Sequence, residues 1–191
     1  MHQFLAPDHI KPCCNFGEMF TGTPDEYWQS DFLKNIRESL EQDIWPIGCT
    51  SCKQNELDGI PSLRQISLQE YKKPVQPVVE FVDFRLSNKC NFACRTCEPN
   101  FSTRIATEAI NNNLSEFYAY TPKSKYITRS TTELKNILPT VKRAMFTGGE
   151  PTILQEFYDV LELLPKDIEL QIVTNCSNVT NKFLDSISDF N

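Results

Sequence analysis

No stretch of this 191-residue chain stays apolar for the roughly 18 to 20 residues that a membrane-spanning helix needs, so no membrane span is expected. Positive charge is also scarce: 19 Lys and Arg stand against 25 Asp and Glu, a formal net charge of −6. That balance excludes general affinity for nucleic-acid phosphates, though not a particular nucleic acid or a peptide as substrate. Histidine is nearly absent; His2 and His9 fall in what reads as a mobile end, and neither is expected to be a ligand. The opening Met1-His2-Gln3-Phe4-Leu5-Ala6-Pro7-Asp8 lacks the basic start and the apolar core of a signal peptide. A secreted disulfide framework is therefore not expected, and the location read from the sequence is cytoplasmic.

With 40% hydrophobic and 23% charged residues the chain can bury a core, and its length allows one domain plus a small module. Cysteine is plentiful, with eight in all. Three of them stand in Cys90-Asn91-Phe92-Ala93-Cys94-Arg95-Thr96-Cys97, a CxxxCxxC spacing. A closed structural zinc site takes four protein ligands, whereas a cubane iron–sulfur cluster held by three thiolates leaves one iron free to bind something else. The plainer alternative is three buried structural thiols.

A second motif, Gly148-Gly149-Glu150-Pro151, directly follows the short apolar run Ala144-Met145-Phe146-Thr147. Paired glycines at a strand end let the backbone approach a ligand closely, although Gly-Gly-Pro is also an ordinary strand exit with proline starting a helix. A third element, residues 168–175, alternates Leu170, Ile172 and Thr174 with Gln171, Val173 and Asn175, as a strand does. It ends in Thr174-Asn175, and Cys176 after it reads better as a small packed residue than as a thiol facing a cavity.

The CxxxCxxC loop, preceded by Asp83-Phe84-Arg85-Leu86-Ser87-Asn88-Lys89, resembles the cluster loop of radical S-adenosylmethionine enzymes, with Thr96 where that family usually carries an aromatic residue. The resemblance implies that Cys90, Cys94 and Cys97 hold a [4Fe–4S] cluster whose fourth iron is chelated by S-adenosylmethionine. One electron would then cleave the cofactor, and the 5′-deoxyadenosyl radical would take a hydrogen atom from the substrate. It also implies that Gly148, Gly149, Glu150 and Pro151, similar to the family's GGEP turn, bind the amino group of S-adenosylmethionine. Asn175, in a Thr-Asn-Gly-like position where Cys176 replaces glycine, would lie near the nucleotide or substrate. A small electron donor such as flavodoxin or ferredoxin follows as a partner, with peptides among the candidate substrates.

The other cysteines, Cys13, Cys14, Cys49 and Cys52, precede the strand–helix alternation. The stretch from Cys13-Cys14 through Tyr27-Trp28-Gln29-Ser30 to Cys52, Glu56, Gly59, Ser62, Leu63 and Arg64 resembles the auxiliary-cluster region of SPASM and Twitch proteins. The four thiols are the implied ligands of an auxiliary iron–sulfur cluster, although adjacent cysteines such as Cys13 and Cys14 rarely both reach one compact site. A zinc knuckle is an alternative, since Cys49-Thr50-Ser51-Cys52 is a CxxC. A thioredoxin-like pair would need the CxxC to open a helix, and Trp45-Pro46-Ile47-Gly48 reads as a turn.

Thr23-Pro24-Asp25-Glu26 reads as a capping box opening a helix, and Leu33, Ile36, Leu40 and Ile44 recur at helical spacing ahead of Cys49. Tyr71-Lys72-Lys73-Pro74-Val75-Gln76-Pro77 reads as a linker. From there strands at 78–86, 144–147 and 168–175 alternate with helices at 102–111, 153–164 and from about 181, which points to a parallel sheet with helical crossovers. Residues 112–129 read as an inserted loop in which Phe117, Tyr118 and Tyr120 line an entrance or cover the barrel, and Lys123, Lys125 and Arg129 form a solvated face.

The expected fold is α/β: the first half of a partial (β/α)6 TIM-like barrel over residues 74–191, with a small α/loop-rich, Twitch/SPASM-like cysteine module over residues 1–73. Three βα units are fewer than the six of that family, so the sequence reads as a truncated form. The expected function is radical S-adenosylmethionine oxidoreductase chemistry. The alternative is a non-catalytic iron–sulfur or zinc-binding module in electron transfer or partner docking.

Overall fold

The computed structural model describes residues 1–70, 78–114 and 128–190. The expected linker at 71–77 lies outside the described residues, as do Phe117, Tyr118, Tyr120, Lys123 and Lys125. Five strands form one mixed sheet: β1 (His2–Leu5), β2 (Ile10–Lys11), β3 (Phe81–Phe84), β4 (Arg143–Phe146) and β5 (Glu169–Ile172). Their order is β2-β1-β3-β4-β5, parallel throughout except for the β1–β2 pair. Seven α-helices accompany them: α1 (Pro24–Gln29), α2 (Asp31–Glu41), α3 (Thr50–Leu57), α4 (Leu63–Glu70), α5 (Thr103–Asn111), α6 (Gln155–Leu163) and α7 (Asn181–Ile187). Parallel neighbours need long crossovers. The β3–β4 and β4–β5 connections carry α5 and α6, and the expected α/β architecture is present. Among the described residues no helix is long and apolar enough to cross a membrane.

The N-terminus is not a loose end. Residues His2 to Leu5 pair in register with Phe81 to Phe84, so the first residues form the strand next to β3. The β1–β3 crossover contains β2 and α1–α4, and with them four of the eight cysteines. Local signals shape this crossover. Thr23 and Glu26 close a reciprocal capping box at α1, with Thr23 N donating to Glu26 Oε2 at 2.8 Å and Glu26 N to Thr23 Oγ1 at 3.2 Å. Ser30 then caps α2 through Leu33 N. Helix α2 buries Leu33 and Ile36 but stops at Glu41, with Asp43 in a left-handed turn (φ 57°). Leu40 and Ile44, expected on the same stripe, are therefore exposed.

Register sorts the sheet residues into two faces. One carries Leu5, Ile10, Val82, Phe84, Ala144, Phe146, Leu170 and Ile172 and packs on the helices. An aromatic chain crosses this layer: Phe84 stacks on Phe146 at 4.9 Å, Phe146 meets Phe157 of α6 edge-on at 4.9 Å, and Phe157 reaches Phe183 of α7 at 6.3 Å. Such pairs add about 0.5–1.5 kcal/mol each beyond the area they bury. The other face carries His2, Phe4, Lys11, Phe81, Asp83, Arg143, Met145 and Gln171, and is largely polar.

Arg129 departs from the expected solvated face. Its side chain is 5% exposed and donates from Nε to Ala6 O at 2.7 Å, from Nη1 to Gly22 O at 3.3 Å and to Glu133 Oε2 at 3.1 Å. Two turns of the N-terminal crossover and the Glu133 carboxylate are thereby held by one guanidinium, which is suited to this because its five donors leave in a fixed fork. Sequence reading missed the role because the carbonyls it satisfies are more than a hundred residues away.

His2 stacks on Phe81 with centroids 4.2 Å apart, and both its ring nitrogens are shielded without a hydrogen-bond partner. Burial drives its pKa from 6.5 to about 4, with the positive N-terminus and Arg143 adding to the effect. Because the folded pKa lies below the unfolded one, His2 contributes stability that is fully present above about pH 6.5 and is lost as pH falls through about 4. Urea unfolding across that window is expected to show up to about 3 kcal/mol of acid destabilisation, and His2→Phe to flatten the slope. An unchanged slope in the variant would remove His2 as its source.

Candidate functional site

Beyond Phe84 the β3 chain runs into the thiol loop, and beyond Phe146 the β4 chain runs into the glycine turn. The two stay hydrogen-bonded after the strands end: Thr147 N donates to Phe84 O at 2.9 Å, Gly149 N to Ser87 O at 3.0 Å and Glu150 N to Lys89 O at 2.9 Å. Glycine is required for this approach. A Cβ on Gly149 would lie 2.0 Å from Lys89 O, and one on Gly148, at φ +102°, would lie 2.9 Å from Ser87 O. The two motifs, some fifty residues apart in the chain, thus meet backbone to backbone immediately before Cys90.

Helix α5 holds the other side of the loop. Ser102, fully buried, caps α5 through Ile105 N and donates its hydroxyl to Phe92 O at 2.9 Å. Thr103 N donates to Asn88 O at 3.0 Å, and Arg104 Nη1 to Asn91 O at 3.2 Å. Cys97 N closes a turn on Cys94 O at 3.0 Å. Cys90 and Cys97 are half-buried and Cys94 is exposed. Burial pushes the Cys97 thiol up, and the charges of Cys90 and Cys94 add to that rise, so the three sulfurs share one electrostatic neighbourhood.

Glu150 is 1% exposed and both its oxygens are engaged by the protein. Oε1 accepts from Thr152 N (3.1 Å), Thr152 Oγ1 (2.7 Å) and Thr174 Oγ1 (2.6 Å), and Oε2 from Asn175 N (2.7 Å). The carboxylate therefore clasps the end of β5 to the glycine turn. Pro151 opens the short 3-10 turn Pro151–Ile153 that leads to α6. Asn175 completes the ring, since its Nδ2 donates to Asn91 Oδ1 of the thiol loop at 2.9 Å. The strand ends at β3, β4 and β5 are thus joined into one rim.

Cys176 differs from the packed residue expected. It is exposed and sits at φ +58°, in the left-handed region that favours glycine. Sequence spacing carried the signal, since this is the position where the resemblance places glycine.

The turn at residues 13–16 (Phe16 N to Cys13 O, 3.2 Å) is tied to the turn before Cys49 by Gly17 N donating to Gly48 O at 2.8 Å, with the buried Phe16 ring against Gly48. Cys49 ends the 3-10 turn Ile47–Cys49 and stands at the N-cap position of α3 without a side-chain cap bond, so the CxxC follows the expected turn and opens a helix inside the β1–β3 crossover. Burial pushes the Cys49 thiol up to about 11, with Cys13 and Cys52 raising it further and Arg64 opposing. Arg64 is held by Glu56 through Nε (3.0 Å) and Nη2 (2.5 Å), and stacks 4.8 Å over Trp45. Cys14 adds to the rise at Cys13 and also feels the charged groups of the sheet face. Its thiol is raised by burial and by Asp83, with Arg85 and Lys11 opposing.

Among the described residues, no three or more His, Cys, Asp or Glu side chains converge on a geometry for a single metal ion. An open recess of about 460 Å³ lies beside the thiol loop, lined by Ala93, Thr103, Arg104, Thr107, Glu108 and Asn111, and it contains no thiol.

No protein-family model, curated protein or solved structure matches this chain.

Two substitutions test the geometry. Gly149→Ala is expected to destabilise the fold by several kcal/mol or to expel residues 87–89, because the obstructing atom is backbone; proteolysis of the 90–97 loop and urea unfolding would report it, and wild-type behaviour would refute the close approach. Cys176→Gly is expected to raise stability by about 1 kcal/mol by relieving the left-handed backbone, read as a higher urea midpoint with an unchanged slope.

Proposed function

We propose that this chain binds a [4Fe–4S] cluster through Cys90, Cys94 and Cys97, holds S-adenosylmethionine beside it at residues 148–151 and Asn175, and performs radical hydrogen abstraction on a substrate. The observation that supports this reading most is the backbone contact between the thiol loop and the glycine turn, with Gly149 allowing residues 87–89 to pass where any side chain would collide. In the same reading β3, β4 and β5 are the first three strands of a (β/α)6 half-barrel, whose reactive groups gather at strand carboxyl ends. The rim of Asn91, Glu150 and Asn175 is located at those ends.

When bound, the cluster and cofactor supply a one-electron cleavage of the sulfonium that yields a 5′-deoxyadenosyl radical. The chain's own part is positional. Carbonyls of the glycine turn orient the methionyl amine, Glu150 keeps that turn locked to β5, and Asn175 bridges to the thiol loop. Cys13, Cys49 and Cys52 form the auxiliary cluster group, with Arg64 as a fixed cation beside them, and Cys14 as the less suited fourth ligand. A small redox protein such as flavodoxin or ferredoxin would deliver the electron.

Anaerobic iron and sulfide counting with a 5′-deoxyadenosine assay under strong reductant tests this. About eight irons per chain, with cleavage abolished by replacing Cys90, Cys94 and Cys97 with Ala, is the expected result. Bound metal with no cleavage would replace the enzyme with a binding module, and about four irons plus one zinc would remove the auxiliary cluster while leaving the first.

A further inference from the structure

The polar face of the sheet carries a charged group that neither the thiols nor the glycine turn use. Register puts Asp83 on the same face as Phe4 and Lys11, and strand alternation carries Arg85 there as well. Asp83 is completely buried. Its Oδ1 accepts from Thr147 Oγ1 at 2.9 Å, while Oδ2 has no hydrogen-bond partner. Arg85 Nε lies 3.9 Å from Oδ1 and is likewise buried without a partner. That separation makes an ion pair but is too long for a hydrogen bond, so Asp83 Oδ2 and Arg85 Nε each stay without one, which is costly unless a further group pairs with them.

The guanidinium lies over two rings, its Cζ 4.7 Å from the Phe4 centroid and 4.6 Å from that of Phe101. Cation–π contact of this kind uses the charge and leaves the N–H groups to meet a hydrogen-bond acceptor. Lys11 flanks the same Phe4 ring at 5.1 Å and donates to Cys14 O at 3.0 Å. Two cations against one carboxylate favour a ligand that brings a carboxylate of its own, on a chain of net charge −6. The ligand must also present a donor next to its acceptor, to reach Asp83 Oδ2 and Arg85 together. An α-amino or α-acylamino carboxylate has this pattern, with carboxylate oxygens for the Arg85 fork and an adjacent N–H for Asp83. The Arg85 side chain is 22% exposed, so the site is approached along the guanidinium.

We propose that Arg85, Lys11 and Asp83 bind the α-amino carboxylate end of the substrate, either the carboxy-terminal residue of a peptide or a free amino acid. The proposal rests on the radical reading only in calling this ligand the substrate. Its place suits that role, because Arg85 Cα and Cβ come within 3.5 Å of the position a Gly148 Cβ would take, and Lys11 is bonded to the carbonyl of Cys14. The site therefore adjoins both the glycine turn and the first pair of N-terminal cysteines.

The test is binding alone, on the full chain, read at the Arg85 Nε–H cross-peak in proton–nitrogen spectra and assigned by its loss in Arg85→Lys. The probes are acetate, glycinamide, glycine, N-acetylglycine and S-adenosylmethionine. Expected is a saturable shift with glycine or N-acetylglycine, a weaker one with acetate and none with glycinamide. Arg85→Lys should weaken binding about tenfold or more, the loss of a charge-assisted bond. Asp83→Asn, which keeps the shape, should bring N-acetylglycine or glycine down to the level of acetate. Stronger response to N-acetylglycine assigns a peptide end, and stronger response to glycine a free amino acid. A silent Arg85 signal with every carboxylate, an equal shift with glycinamide, or a response to S-adenosylmethionine alone would overturn the proposal. Because no cluster or cofactor cleavage is read, these outcomes are independent of whether the radical reading holds. Should Arg85→Lys fail to fold, the wild-type probe series and Asp83→Asn still decide.

Discussion

The arrangement of the whole rim depends on one close backbone approach, that of Gly149 to the carbonyl of Lys89. The β3–β4 ladder would otherwise end at Phe84 and Phe146. Because no side chain intervenes, it continues through Gly149 and Glu150, and the thiol loop leaves the sheet from a defined position. Everything after that is braced from it: Ser102 and Thr103 hold the loop to α5, and Glu150 and Asn175 hold it to the end of β5. A loop rich in thiols has little reason to be ordered by its own sequence. Here it borrows order from the ends of three strands.

The same sheet separates packing from chemistry. One face is filled by Phe84, Phe146, Phe157 and Phe183 with aliphatic neighbours, and that layer supplies the cohesion. The opposite face can then carry Asp83, Arg85 and Lys11, groups whose burial would be intolerable in the aromatic layer. Register is the decisive variable, since a slip of one residue in β3 would exchange Asp83 for Phe84. The N-terminal crossover adds Tyr27 and Leu33 to the apolar layer. Its placement is secured by β1 in the sheet and by Arg129, whose guanidinium gathers the carbonyls of Ala6 and Gly22 and the carboxylate of Glu133.

Much of the local structure was legible. Thr23 and Glu26 announce α1, Ser102 and residues 103–111 form the helix expected there, β3 and β5 fall within the expected strand segments, and β4 begins one residue before its expected start at Ala144. The paired glycines were legible as a strand exit, and their spacing from the thiols as a reason to place both in one site. Less legible were residues whose partners are remote. His2 and Arg129 read as mobile or solvated because nothing near them in the chain shows what buries them, and Cys176 read as packed because a positive φ leaves no trace in composition. The pair Asp83 and Arg85, two residues apart in an apolar strand, was the one available sign of a charged face.

By itself, then, the sequence determined the elements, the thiol spacing and the glycine turn, because caps, periodicity and backbone permissiveness act over a few residues. Only the tertiary structure decided that β1 pairs with β3, that the turn of Cys13 is tied to the turn before Cys49, that Glu150 is spent on Thr174 and Asn175, and that the buried Asp83 faces a partly exposed Arg85. Each of those outcomes depends on which distant groups share a low-dielectric interior, where an unpaired charge is costly and a partner must be found in three dimensions.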